Sequence, residues 1–222
     1  WDNNTGDKDV AARIPSRMMT VADGAEFCRP ECIDAVFLKH LEDKAETITG
    51  NTVIVLHQIG SHGPSYWLRY PEDQERFTPA CKTPELTACS TEEIVNAYDN
   101  TIAYTDTFLS QVIDLLDRQD RVIPAMFYAS DHGESLGEGG LYLHGTPYFM
   151  APDYQTHVPM VFWMSDRFRA TLALDKACLA TAAGDEVSHD NMFSTVLGFL
   201  DVTTTARDTG LDLAGRCRSV AS

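Results

Sequence analysis

The sequence predicts an α/β fold, a mostly parallel sheet flanked by helices, with loops stapled by disulfides. Three observations carry that expectation. Apolar runs rich in β-branched and aromatic residues, TVIVL at 52–56, AMFYAS at 125–130 and VPMVFWM at 158–164, have the length and composition of buried strands. A long apolar stripe at helical spacing separates the first two, and strand–helix–strand is the unit whose crossover makes its strands parallel. Six cysteines fall into close pairs within polar, Pro-containing stretches that bury little. No repeat, low-complexity tract or linker interrupts the chain, so residues 1–222 read as a single α/β domain.

Taken in order, residues 1–32 are polar, broken by Gly6, Pro15, Gly24 and Pro30, and read as loop. Ile33, Val36, Phe37, Leu38 and Leu41 form a helical stripe that Gly50 stops. The run 52–56 opens into HQIGSHG, and an irregular stretch rich in Pro and aromatics follows over 64–90. Ser90 with Glu93 is a capping box. From there Ile94, Tyr98, Ile102, Thr105, Leu109, Val112 and Leu116 recur three or four apart, one long helix ending near 117–120. Pro124 precedes the second strand, which opens into DHGES. The third strand follows at 158–164, and a last helix over 190–200 (DNMFSTVLGFL) completes the set.

Thirty-three acidic against seventeen basic residues give a net charge of −16. This excludes a nucleic-acid surface, which needs a basic stripe, and resists an anionic membrane unless a basic patch, a metal or a tether intervenes. No apolar run approaches the roughly 18–20 residues needed to span a bilayer. A chain opening WDNNTG reads as part of something longer. The cysteine spacings 28/32, 81/89 and 178/217 lack the CxxC of zinc knuckles. They predict the disulfides Cys28–Cys32, Cys81–Cys89 and Cys178–Cys217, hence an oxidising compartment such as the periplasm.

Chemistry gathers where the first two strands end, in VIVL-HQIGSHG and FYAS-DHGESLGE. Ligands of open α/β sheets bind beyond the carboxyl ends of parallel strands. That places His57, His62, Asp131, His132 and Glu134 near one another, with His144 returning from the Gly-rich loop in LHG. Carboxylate oxygen with imidazole nitrogen is a zinc or manganese set. Asp131 and His132 can share one ion only if the backbone turns sharply, which Gly133 permits. His57 and His157 read as structural, His40 and His189 as surface or capping residues, Glu138 as a solvated loop acid. No GxSxG, P-loop or GxGxxG is present.

WDNNTGDK, VIVLHQIGSHGPSYWLRYP, FTPAC, NAYDNT and YASDHGESLGEGGLYLHGTPYFMAP together resemble the phosphoethanolamine transferases that modify lipid A. This group includes the mobile colistin-resistance enzymes and lies in the alkaline phosphatase/sulfatase superfamily. The resemblance runs over nearly the whole chain, cysteine pairs included. It implies an alkaline-phosphatase/sulfatase-like fold and an enzyme of the periplasmic face of the bacterial inner membrane, anchored by N-terminal helices that lie outside this chain. It implies one or two zinc ions, phosphatidylethanolamine as donor and a lipid A phosphate as acceptor. Residue by residue, Asp131 and His132 would be zinc ligands. His62 and His144 would contact the phosphate group or a second zinc, and Glu134 would sit beside the metal site. His62, His144 and Glu134 are thereby the catalytic candidates. Asn4 and Lys8 would line the substrate pocket with His62 and His144. The family's threonine nucleophile and a further zinc-binding glutamate lie upstream of the DNN motif, so these 222 residues alone are expected to be inactive and monomeric.

Two other readings are compatible with the residues. One is a transferase or hydrolase of the same superfamily acting on a different phosphorylated glycan. The other is a non-enzymatic module that binds a metal or a phosphate.

Overall fold

The computed structural model describes residues 1–219. The chain divides into two compact units, one comprising Trp1–Arg118 and His132–Val158, the other Gln119–Asp131 and the residues from Pro159 onward.

The first unit is organised by two helices. The shorter, α1 (Val36–Thr47), buries Val36, Phe37, Leu41 and Ala45. The longer, α2 (Thr91–Asp117), starts as its sequence dictates: the Ser90 hydroxyl accepts from Glu93 N, and the Glu93 carboxylate accepts from Ser90 N in return. Its buried face differs from the apolar stripe. Ile94, Ala97, Asn100, Thr101, Tyr104, Thr105, Phe108, Val112 and Leu115 point inward, whereas Ile102 is 47% exposed. The cause is Asn100, fully buried because its amide is saturated. Its Oδ1 accepts from Arg76 N (2.7 Å) and Phe77 N (2.9 Å), and its Nδ2 donates to Phe77 O (2.9 Å). A polar residue so satisfied is as good a core residue as an apolar one. Against this face pack Tyr66, Cys81, Leu86 and Leu136 in one cluster, Ala35 and Tyr70 in another. A single helical turn, α3 (Asp153–Thr156), comes late in the same unit.

The run 52–56 forms no strand, which corrects the expected parallel sheet. Val53 and Val55 stand 53% and 60% exposed. Its end is nonetheless paired in parallel, with the first residues of the chain: Trp1 N donates to Val55 O (2.7 Å), His57 N to Trp1 O (2.8 Å) and Asn3 N to His57 O (3.2 Å). On its other side Asp2 bridges Met18, also in parallel. Residues 1–3, expected to be loop, thus hold two segments together. The Asn3 amide extends the junction, donating to Cys32 O (2.9 Å) and Asp34 Oδ1 (2.8 Å) and accepting from Ile59 N (2.8 Å). Burial pushes the Asp34 carboxyl above its usual range.

The described strands are short and lie in two pairs. In chain order they are β1 (Ala125–Ala129), β2 (Ser135–Leu136), β3 (Tyr142–Leu143) and β4 (Met160–Met164). The pair β2–β3 is a hairpin of the first unit. In the second unit β1 and β4 run antiparallel, Ala125 opposite Met164 and Ala129 opposite Met160. Helices α4 (Asp166–Thr171), α5 (Lys176–Ala182) and α6 (Asp190–Phe199) follow. Phe199 of α6 stacks on Phe162 at 4.4 Å between centroids and meets Phe168 edge-on at 5.5 Å. The α/β class holds, and all three disulfides form as expected.

Candidate metal centre

The site in the first unit is built on the β2–β3 hairpin, whose two strands are joined by a glycine-rich turn. Gly137, Gly139 and Gly140 take φ values of 118°, 60° and 80°, which side chains rarely adopt. Gly137 N donates to Leu141 O (2.8 Å), and the Glu138 carboxylate accepts from Leu136 N (2.6 Å), so this acid braces the turn. With Ser135 opposite Leu143, the register sets Glu134 and His144 side by side. His144 Nδ1 lies 3.0 Å from Glu134 Oε1.

Glu134 is the hub, only 5% exposed. Besides His144 it accepts from Gly63 N (3.3 Å) and from the Tyr66 hydroxyl (2.9 Å), which ties the SHG loop to the hairpin. Burial, and then the Glu134 charge, push the Tyr66 hydroxyl far above its usual pKa, so tyrosine remains a donor. Gly63 fits because a Cβ there would fall 2.5 Å from Leu143 Cδ2 and 2.7 Å from the Tyr66 oxygen. Arg69 Nε holds His62 O at 2.8 Å.

His62, His132 and His144 converge, their ligand nitrogens all within 4.8 Å of one another. The His132 and His144 rings stack at 3.9 Å between centroids, and His62 meets His144 edge-on at 4.9 Å. Each Nδ1 faces an oxygen acceptor: Gly63 O for His62 (2.7 Å), Gly133 O for His132 (3.0 Å), Glu134 for His144. A carbonyl or carboxylate oxygen can only accept, so each Nδ1 carries a proton, which in the neutral ring leaves the lone pair on Nε2. This is the tautomer of a metal-binding histidine with its outer hydrogen bond in place. Two nitrogens on one zinc at about 2.0–2.1 Å are at most about 4.2 Å apart, so the cluster is close to the span an ion demands. The donor set fits zinc.

Of the residues singled out by sequence, three histidines and Glu134 come together. Asp131 falls in the second unit, directly before His132 in the chain. Gly133 serves a close approach: Gly133 N donates to Gln155 O (3.0 Å), and a Cβ would lie 2.0 Å from Tyr154 O. Asn4 Nδ2 bonds Gln58 O (3.4 Å), and Asn4 lines a cavity of about 260 Å³ with Asn3, Thr5, Met19 and Glu31. Lys8 is exposed and is not among the residues lining that cavity. His57 is structural, its Nδ1 3.1 Å from Asp2 Oδ2. His189 is exposed at the N-cap position of α6, as expected, with its Nε2 2.7 Å from Ser130 O. Tyr66 and Arg69 escaped the sequence reading. Their signal was the dense SYWLRY just after SHG.

The sulfatase family model matches residues 1–202. The chain belongs to the sulfatase family. Within it, this sulfatase-family chain is 44% identical to phosphoethanolamine transferase EptA of Salmonella typhimurium over 99% of its own length and 41% of that protein's. It is 37% identical to phosphatidylethanolamine transferase Mcr-2 of Escherichia coli, over 91% of the chain and 38% of the relative. The crystal structure of the soluble domain of lipooligosaccharide phosphoethanolamine transferase A from Neisseria meningitidis superposes with a TM-score of 0.95. It shares 41% identity, covering 99% of this chain and 66% of that one. The chain thus spans about two fifths of the curated relatives it matches. Among the described residues no helix is long and apolar enough to cross a membrane.

Proposed function

We propose that these residues are the metal-binding part of a phosphoethanolamine transferase that moves phosphoethanolamine from phosphatidylethanolamine to a lipid A phosphate. The reaction takes place on the periplasmic face of the bacterial inner membrane and confers polymyxin resistance. The observation that carries this is the convergence of His62, His132 and His144 with every Nδ1 anchored. The names of the relatives support phosphoethanolamine as the transferred group and a lipooligosaccharide as the acceptor class.

Asp131 and His132 would be among the groups that hold zinc, which when bound would supply charge to offset the phosphate and a lowered pKa for a bound hydroxyl. The protein's own groups do the rest. His62 and His144 can offer the Nε2 lone pair to a second ion, or, with Nε2 protonated, donate to the phosphoryl oxygens or protonate a leaving group. Glu134 keeps His144 oriented. Asn4 and Lys8 belong to the substrate side of the site, where an amide and an ammonium suit an anionic head group.

The test is zinc titration of the chain together with head-group transfer by the longer protein that contains it. His132→Ala is expected to lower zinc occupancy and abolish transfer, and the exposed His157→Ala to do neither. Full zinc and full transfer in the His132 variant would overturn the metal assignment.

A further inference from the structure

The loop that carries His144 continues into the most exposed apolar run of the molecule. Tyr148, Phe149 and Met150 are 87%, 85% and 66% exposed, and Leu141, Tyr142 and Tyr154 on the same stretch are 42%, 39% and 57% exposed. Single exposed apolar side chains are ordinary, whereas a contiguous set marks an interaction surface. We propose that residues 141–154 form a lipid-docking loop that seats the histidine cluster at the head-group level of a bilayer containing phosphatidylethanolamine. The inference rests on the transferase reading, in which both substrates are lipids.

Charge selects this occupant. Asp153 is the one charged residue between Gly139 and Tyr154, in a chain of net charge −16. With no basic patch in this segment, an acidic body approaches a lipid surface most readily through a face nearly free of charge. Composition agrees, because tyrosine and phenylalanine favour the boundary between head groups and acyl chains. The backbone is prepared as well. Between Pro147 and Pro152 it folds into a 3₁₀ turn in which Met150 N bonds Pro147 O (2.8 Å) and Ala151 N bonds Tyr148 O (3.3 Å). Those two amides are satisfied within the turn. The reach is right too. Phe149 lies five residues past His144, so the two are at most about 18 Å apart. A head-group layer is about 5–8 Å deep on each side. A tip at the acyl boundary therefore leaves His144 within about 18 Å of that boundary.

The experiment is flotation of the 222-residue chain with neutral vesicles of phosphatidylcholine and phosphatidylethanolamine in a three-to-one mixture. Replacing Tyr148, Phe149 and Met150 together by serine is expected to lower partition at least tenfold, with circular dichroism and zinc titration unchanged. Val10→Ser, which alters an isolated side chain that is 87% exposed, is expected to leave partition as it was. In Phe149→Trp, vesicles are expected to shift the added emission to the blue, and brominated acyl chains to quench it. No partition of the parent chain, or equal partition of the triple variant, overturns the proposal. So does a dimer that the triple variant loses without any vesicle binding, which would assign the loop to a second copy. Partition that survives while the longer protein containing this chain neither binds zinc nor transfers the head group would count against the transferase reading and leave the docking surface standing.

Discussion

Glu134 accepts from three donors of different kinds, a backbone amide, a phenol and an imidazole, and an amide side chain cannot replace it. Glutamine offers one acceptor oxygen and would aim an NH₂ group at another donor. Glu134→Gln is expected to weaken zinc binding about 10- to 100-fold, as loss of an outer hydrogen bond to a ligating histidine does. Tyr66→Phe removes a single donor and should cost about 1 kcal/mol of stability, with a smaller loss of zinc. Zinc titration beside thermal unfolding separates the two, and equal zinc losses would show that the carboxylate is not the hub. At Gly133, alanine would push a methyl group into Tyr154 O, and Gly133→Ala should cost about 1–3 kcal/mol in urea unfolding.

For the elements, the cap of α2 is the most local feature in the chain, legible from the four residues Ser90 to Glu93 without any structure. Ser90→Ala is expected to lower stability by about 1 kcal/mol. Its partner sets a pH dependence. The hydrogen bond from Ser90 N, and then the one from the serine hydroxyl, hold the Glu93 carboxyl below its usual value. A depressed carboxylate stabilises above its unfolded value of about 4.3, and that contribution is lost as pH falls through the lower folded value. Melting temperatures below about pH 4.3 should therefore fall less steeply in Glu93→Gln, and an unchanged acid limb would remove the box from the account. The buried face of α2 was harder to foresee. Apolarity pointed to Ile102, but position 102 faces solvent while Asn100 and Thr101 turn inward, because distant backbone groups at 76 and 77 satisfy the Asn100 amide.

Across the whole molecule, the disulfides differ in what they restrain. Cys178–Cys217 joins residues 39 apart, and Cys28–Cys32 joins residues 4 apart. Loop-closure entropy is then worth about 4 kcal/mol for the long bridge and about 2 kcal/mol for the short one. Paired alanine substitution at Cys178 and Cys217 should cost about twice as much in denaturant as the same change at Cys28 and Cys32. A larger cost for the short bridge would show that native geometry, and not closure, governs both.

The sequence by itself determined α1, α2 and α6, the cap of α2, the cysteine pairs, the glycine turn and the histidine-bearing segments SHG, DHGES and LHG. Each depends on residues close in the chain or on side-chain chemistry that needs no distant partner. Only the tertiary structure decided the rest. It paired 125–129 with 160–164 in antiparallel and left 52–56 without a ladder, resting its end on residues 1–3. It also made one glutamate the junction of the SHG loop and the β2–β3 hairpin, 71 residues from Gly63 and 10 from His144. Strand partners and buried hydrogen bonds join groups far apart in sequence, and their identity is settled by which surfaces exclude water together, which no local pattern records.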